Sequence, residues 1–484
     1  MREDSQAHSR QRPLSNAMLA MLGAGSQQVA SFVIMLLAAR FLPLSDYGTF
    51  MLAMVFVELA TTMMHSGFYH YVVRSERDDV AVQSSMFWVI LGIGALSGGT
   101  MVIAAPWLAM VFQSPDLAAP MIGLGLLQPG AAVIAWASAC LTRQERMRAY
   151  FNCLTLSNLG GLAAGITLLL LWPSIYALLA YRACRVGLGL ITFCGANRYI
   201  PNWRMDWLIL REAAKFSRGL YGTRLLEFFA NFGTDLLLAF FFSTSESGLY
   251  RIANRLANAA IDVVALPLRN MALKSFARRV RNHQPTGSLA TDFLSANFVA
   301  AGIMAVLSIV FGPAHIRALF DPSYGLAIPA FYALCLRGLA LSGQRVLEPL
   351  FAAHDLNLSA LRHNTIWTVA LIVVTATLAP FGLFTLSVGQ ALVGLATTIA
   401  AIRLMRSNSV VFPIELRRPF QKSVTILMLA TCAAALSFGM IDQTQINDGI
   451  KILTYAPISM LLAAVACLGA IRWQVFSPKI LHSR

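Results

Sequence analysis

Charged side chains recur at helical spacing inside the most apolar part of this chain. Between Ser217 and Arg269 two long apolar runs form a helical hairpin and meet at a short polar turn, Ser243-Thr-Ser-Glu-Ser-Gly248. On the first run Arg224, Glu227, Asn231 and Asp235 fall on one helix face, and on the second Arg251, Arg255, Asn258 and Asp262 do the same. Guanidinium groups in such a setting grip phosphate or carboxylate through a planar fork of donors. Carboxylates there take up a proton or a small cation. Facing lipid, each such group costs roughly 3 kcal/mol, so both stripes are expected to line a shared wet interior.

The same chemistry recurs along the rest of the chain. About eight arginines lie within apolar runs: Arg40, Arg182, Arg185, Arg224, Arg251, Arg255, Arg337 and Arg345. Five acids accompany them: Glu58, Glu227, Asp235, Asp262 and Glu348. The spacing predicts that Glu227 pairs with Arg224 and Glu348 with Arg345 on their own helices. It also puts Glu58 on one face with Thr61, Thr62 and His65, a proton site or a polar contact between helices. Even with every acid paired, about three positive charges remain, and that excess asks for an anionic guest. If all the pairs only neutralise one another, they hold helices in register and nothing more.

The elements that position these groups are membrane spans. The chain has 484 residues, of which 57% are hydrophobic and 12% charged. Apolar runs of about 20 residues, long enough to cross a hydrocarbon layer, recur almost throughout, about fourteen in all. The expected fold is an all-α polytopic membrane protein. The net charge of +15 lies mostly in alternate loops and at the ends, which puts both termini in the cytoplasm. No basic loop is large enough to dock a nucleic acid duplex. The seven cysteines show no CxxC spacing and read as packing residues. The run Ala17–Leu42 is too long for a signal-peptide core and reads as a retained first span. Trp107 and Trp172 mark outer helix ends, and Trp203, Trp207 and Trp473 inner ones. The segment from Arg198 to Lys215 reads either as a short amphipathic helix in the inner interface or as an ordinary loop.

An internal repeat organises the spans. Ser45-Asp-Tyr-Gly48 is matched by Ser245-Glu-Ser-Gly248, Val-Arg-Ser75 by Leu-Lys-Ser275, and Trp107-Leu-Ala-Met-Val-Phe112 by His315-Ile-Arg-Ala-Leu-Phe320. The repeats share one orientation, which implies two six-helix lobes about an axis along the membrane normal. The expected division is residues 1–200 (spans 1–6), 201–410 (spans 7–12) and 411–484 (spans 13 and 14 and the tail). No P-loop, HExxH or GxSxG motif occurs, and no metal or cofactor site is expected.

Two stretches carry a family likeness. Leu36-Leu-Ala-Ala-Arg-Phe-Leu-Pro-Leu-Ser-Asp-Tyr-Gly48 closes span 1, and Thr234-Asp-Leu-Leu-Leu-Ala239 runs into Gly248-Leu-Tyr-Arg-Ile-Ala-Asn-Arg255. Together with span number, repeat and loop charge, they resemble the O-antigen and exopolysaccharide flippases, members of the superfamily that also holds multidrug extruders and peptidoglycan-precursor flippases. The resemblance implies a cationic cavity opening alternately to each side of the bacterial inner membrane. It implies a cargo of short glycan on a polyprenyl diphosphate, and polysaccharide polymerase and chain-length proteins as partners. On that reading Arg224, Arg251 and Arg255 bind the diphosphate, Arg182, Arg185, Arg337 and Arg345 complete the cavity, and Glu58, Asp235 and Asp262 are candidate ion-coupling sites. The buried acids leave a cation-coupled multidrug antiporter as the alternative within transport. A membrane-embedded polymerase or ligase is the alternative outside it.

Overall fold

The computed structural model describes residues 25–75, 79–197, 199–203, 205–407 and 417–442, and among them there is no strand. The first half of the chain holds α1 (residues 25–41), α2 (Leu44–Met64), α3 (Phe68–Arg74), α4 (Asp79–Val111), α5 (Ala118–Leu126), α6 (Gln128–Arg143), α7 (Met147–Leu171), α8 (Ile175–Ala196) and α9 (Trp207–Phe241). The second half holds α10 (Thr244–Arg281), α11 (Gly287–Leu319), α12 (Ile328–Ala353), α13 (Asn357–Leu378), α14 (Leu383–Ser407) and α15 (Arg417–Asp442). Ten helical segments among the described residues are long and apolar enough to cross a membrane. α9 is not among them, since Arg218, Arg224, Glu227 and Asp235 interrupt its apolar run. The chain is a multi-pass membrane protein. Span 14, the C-terminal tail with Trp473, Cys467 and the first residues of span 1 lie outside the described residues.

The packing divides the chain into two compact units, Met1–Gly248 and Leu249–Arg484. That division falls later than the residue-200 boundary expected from the repeat, because α9 packs on α2, α3 and α4.

In the first unit the core joins α2, α3, α4, α6 and α9 around Met86, Ile90, Trp136, Leu141 and Ala213. Trp136 Nε1 donates to the Gln83 carbonyl at 2.8 Å and ties α6 to α4. α4 meets α5 and α6 through Gly94 and Gly98: a Cβ on Gly98 would stand 2.3 Å from the Gly125 carbonyl oxygen. Lipid tails give helices no hydrophobic reason to associate, so small residues that let backbones touch do that work. α2 breaks from α3 at Gly67, whose φ of 40° favours glycine. A Cβ there would also strike Tyr221 and Ser217 of α9. The Tyr221 hydroxyl donates to the Met63 carbonyl at 3.1 Å across the same bend.

Among the described residues the segment between α8 and α9 forms no separate amphipathic helix, and its second half, from Trp207 on, is the start of α9. It is pinned on α4: the Asn202 and Asp206 backbone N–H groups donate to Ser84 and Ser85 Oγ at 3.0 Å each. Trp88 Nε1 donates to the Asn202 carbonyl at 3.0 Å. The Asp206 carboxylate then caps α9 by accepting from the Leu208 N–H at 2.8 Å. Trp203 and Trp207 stay exposed, as interfacial aromatics do. Two arginines at and just after the end of α6 close helix ends: Arg143 donates to the Val72 carbonyl and Arg146 to the Ala196 carbonyl, both at 2.6 Å.

In the second unit α12 is central, packing on α11 and α14. Its polar ties are Asn297 to Ser342 at 2.8 Å, Gln344 to Asn364 at 3.0 Å and Thr398 to the Ala340 carbonyl at 2.6 Å. α15 lies on α11 through Ile426 and Ala434 against Val299, Ile303 and Phe311. Cys140, Cys153 and Cys335 are buried and unbridged, whereas Cys194 and Cys432 are exposed.

Candidate functional site

Each unit carries its own charged constellation. In the first unit Arg182 of α8 is half-buried and reaches α2. Its Nε and Nη2 lie 3.3 and 3.2 Å from the Met54 sulfur, and Nη2 lies 3.9 Å from Glu58 Oε1. Glu58 therefore faces a guanidinium of α8. His65, within electrostatic reach of Glu58 as the spacing predicts, bonds the Thr61 carbonyl through Nδ1 at 3.1 Å. Arg185, one turn along α8, is half-buried where α8 crosses α7 closely: a Cβ on Gly161 would stand 2.8 Å from Arg185 Cβ.

The α9 stripe is graded. Arg224 and Glu227 are exposed and paired at 2.6 Å, as their spacing predicts. Asn231 is exposed, and Asp235 is 4% exposed, its carbonyl accepting from Ser247 Oγ at 3.1 Å. The polar stretch read from the sequence as a turn is mostly helix, for α10 begins at Thr244. Gly48 of α2 and Thr244 touch backbone to backbone, so a Cβ on Gly48 would stand 2.1 Å from the Thr244 carbonyl oxygen. Gly248 faces the Gly48 Cα at 3.0 Å by the same measure, and Thr49 Oγ1 donates to Thr244 Oγ1 at 3.4 Å. The paired repeat turns thus abut through their glycines.

In the second unit Arg251, Arg255, Asn258 and Asp262 are all half-buried along α10. Arg345 of α12 pairs with Asp262, and Glu348 pairs with Arg269 of α10 at 3.0 Å. Glu348 also interacts with Arg345 of its own helix, the pair that spacing predicts. α10 lies against α12 and offers each group an opposite charge, so the links run between helices as well as along one.

Arg337 differs from these. Its Nη1 donates to the Tyr250 hydroxyl and to Gln390 Oε1, both at 2.7 Å. The Tyr250 hydroxyl donates to the same Gln390 oxygen at 2.7 Å, and Gln390 Nε2 donates to Thr375 Oγ1 at 3.0 Å. Four helices meet there around neutral groups. Met54, Arg269, Tyr250, Thr375 and Gln390 were not singled out from the sequence. Only Gln390 left a trace, as an amide inside an apolar run, and its partner came from a helix far away in sequence.

A family model described as "Polysaccharide biosynthesis protein" matches residues 37–328. Among solved structures the chain is similar to the lipid II flippase MurJ in an inward closed conformation. The TM-score is 0.71 at 13% identity, over 95% of this chain and 100% of that one. It is also similar to an inward-facing multidrug resistance MATE family transporter of the MOP superfamily, with TM-score 0.65 at 13% identity over 79% of this chain and 94% of that one. A MOP superfamily transporter from Pyrococcus furiosus, noted for reversed polarity of its binding pocket, follows at TM-score 0.53 and 12% identity, over 81% and 94%. At these identities the likeness is one of fold. No curated protein matches the chain. The match to the family model covers more than half of the sequence, and the chain belongs to the polysaccharide biosynthesis protein family, on a fold like that of MurJ and the MATE transporters.

Proposed function

We propose that this protein is a flippase that carries a polyprenyl-diphosphate-linked oligosaccharide across the bacterial inner membrane by alternating access, for O-antigen or exopolysaccharide synthesis. Both termini are cytoplasmic on this reading, and polysaccharide polymerase and chain-length proteins receive the product. The observation that carries it is the surplus of guanidinium groups within the spans, Arg337 above all, whose partners among the described residues are neutral. Guanidinium forks suit a diphosphate, and the family concerns polysaccharide synthesis. Arg224, Arg251 and Arg255 supply the first contacts, and Arg182, Arg185, Arg337 and Arg345 the rest.

Glu58 and Asp262 are each paired with an arginine. Protonating either carboxylate removes its hold on that arginine and leaves the guanidinium to the cargo, which links ion entry to phosphate binding. Asp235, buried in α9, is the third coupling candidate. That buried carboxylate is also what favours the second reading, a cation-coupled antiporter. The basic surplus counts against a cationic cargo.

The test is Arg255→Glu in a strain lacking the native copy, with membrane level measured alongside surface glycan. Loss of surface glycan at normal protein level is expected. Undiminished glycan removes Arg255 from the binding set, and drug efflux with no effect on glycan replaces the flippase by the antiporter.

A further inference from the structure

Four of the arginines described above have a carboxylate close by: Arg182 has Glu58, Arg224 has Glu227, Arg269 has Glu348 and Arg345 has Asp262. Arg337 has no carboxylate partner among the described residues. Its Nη1 spends both hydrogens, one on the Tyr250 hydroxyl and one on Gln390 Oε1. Nε and Nη2 keep three N–H donors with no acceptor among the described residues, in one plane. The holding groups are rigid. Tyr250 is 2% exposed, and Gln390 and Thr375 are fully buried. The donor chain has a single consistent direction: Arg337 to Tyr250 and Gln390, Tyr250 to Gln390, Gln390 to Thr375. Close below lies Gly394, where an added Cβ would be 3.6 Å from Arg337 Cγ. The arginine stem therefore has ordinary clearance over Gly394, and the fork is held from its Nη1 side by Tyr250 and Gln390.

A charge fixed in this way and left uncompensated is costly in a membrane span unless something anionic completes it. Arg337 stands nine residues into α12, ~14 Å from its start, Gln390 ~10 Å into α14 and Tyr250 ~9 Å into α10. All three helices run the same way, from the ends opposite the basic loops, so the network lies at one depth. The geometry points to a preorganised seat for one phosphate group, built within the second unit, with Arg337 as the ligand-contacting residue and Tyr250 and Gln390 as positioning residues that orient it while adding no charge. Two oxygens of the phosphate accept from Nε and Nη2 side by side, the bidentate contact that a guanidinium makes and an ammonium cannot. Neutral holders matter because a carboxylate in their place would satisfy the guanidinium and remove its attraction for an anion. This inference deepens the flippase reading and rests on it for the identity of the phosphate as part of a polyprenyl diphosphate.

The experiment measures binding of three probes to the purified full chain in nanodiscs: undecaprenyl diphosphate, undecaprenyl monophosphate and inorganic pyrophosphate. Melting temperature is followed in parallel. Arg337→Lys keeps the charge and is expected to weaken undecaprenyl diphosphate binding about tenfold, the loss of one charge-assisted hydrogen bond. Gln390→Glu keeps the acceptor oxygen and adds a counter-charge. It is expected to hold or raise the melting temperature while weakening the same probe about tenfold or more. Tyr250→Phe is expected to weaken it a few-fold. A purely structural network would leave affinity unmoved in Gln390→Glu, and that result overturns the seat, as does wild-type affinity in Arg337→Lys. If Arg337-dependent binding is equal for pyrophosphate and the lipid, the seat stands and the polyprenyl cargo falls. Lipid binding independent of Arg337 does the reverse, and no binding of any probe to the wild type overturns both.

Discussion

Arg345 and Asp262 show what pairing between spans does for this protein. Both side chains are about a third exposed or less, and each removes the other's cost of leaving water. Arg345→Gln alone leaves Asp262 without that partner and is expected to lower the melting temperature of the purified protein. The double variant with Asp262→Asn should recover part of the loss, a coupling of about 1 kcal/mol. Additive losses in thermal unfolding would show that the pair is incidental. Arg224 and Glu227 make the opposite case. They are half exposed, and an exposed pair of this kind is worth ~0.3–0.5 kcal/mol. Glu227→Gln should therefore leave the melting temperature within about 1 °C, and a larger drop would mean a structural role. At this scale helical spacing revealed which residues are charged and on which face they lie, and it gave the Arg224–Glu227 pair. It could not give Arg345–Asp262, Arg269–Glu348 or Arg182–Glu58, because those partners sit on other helices and are chosen by tertiary packing.

Close approach of helices is the next scale, and glycine decides it. The contact of α2 with the first turn of α10 leaves no room for a Cβ at Gly48, with 2.1 Å to the Thr244 carbonyl oxygen, whereas Gly248 has 3.0 Å to the Gly48 Cα. Gly48→Ala is expected to lower stability by roughly 1–3 kcal/mol, and Gly248→Ala by less. Equal melting temperatures for both variants would show that this crossing contributes nothing to the fold. The pinned segment before α9 is a second case. Asp206→Ala removes the cap on α9 and is expected to cost about 1 kcal/mol, read as a lower melting temperature. Helix existence was legible from apolar run length, and Trp172, read as marking a helix end, stands just after the last residue of α7. The break between α5 and α6 was not legible, since it does not interrupt hydropathy. The start of α10 was misplaced because Ser, Thr and Gly read as a turn, yet here they form a helix's first residues against another backbone.

Over the whole chain the halves follow one plan. α2 starts at Leu44 and α10 at Thr244; α4 and α11 each run to a short 3-10 turn, at Pro115–Leu117 and Pro322–Ala327; hairpins α7–α8 and α13–α14 follow. The repeated motifs in the sequence predicted this order because they mark helix ends, where polar and small residues punctuate hydropathy. The candidate site was less legible. Its arginines stood out by composition, while the neutral groups that hold Arg337 look like ordinary span residues until four helices bring them together. The central claim is that the surplus of guanidinium in the spans serves a lipid-linked diphosphate. It is tested most directly by reconstituting the purified chain in liposomes with a fluorescent undecaprenyl-diphosphate oligosaccharide and following its passage to the opposite leaflet. The account predicts passage faster than in protein-free liposomes, slowed at least tenfold by Arg255→Glu together with Arg337→Gln. Passage at the protein-free rate, or passage that both substitutions leave intact, would contradict it.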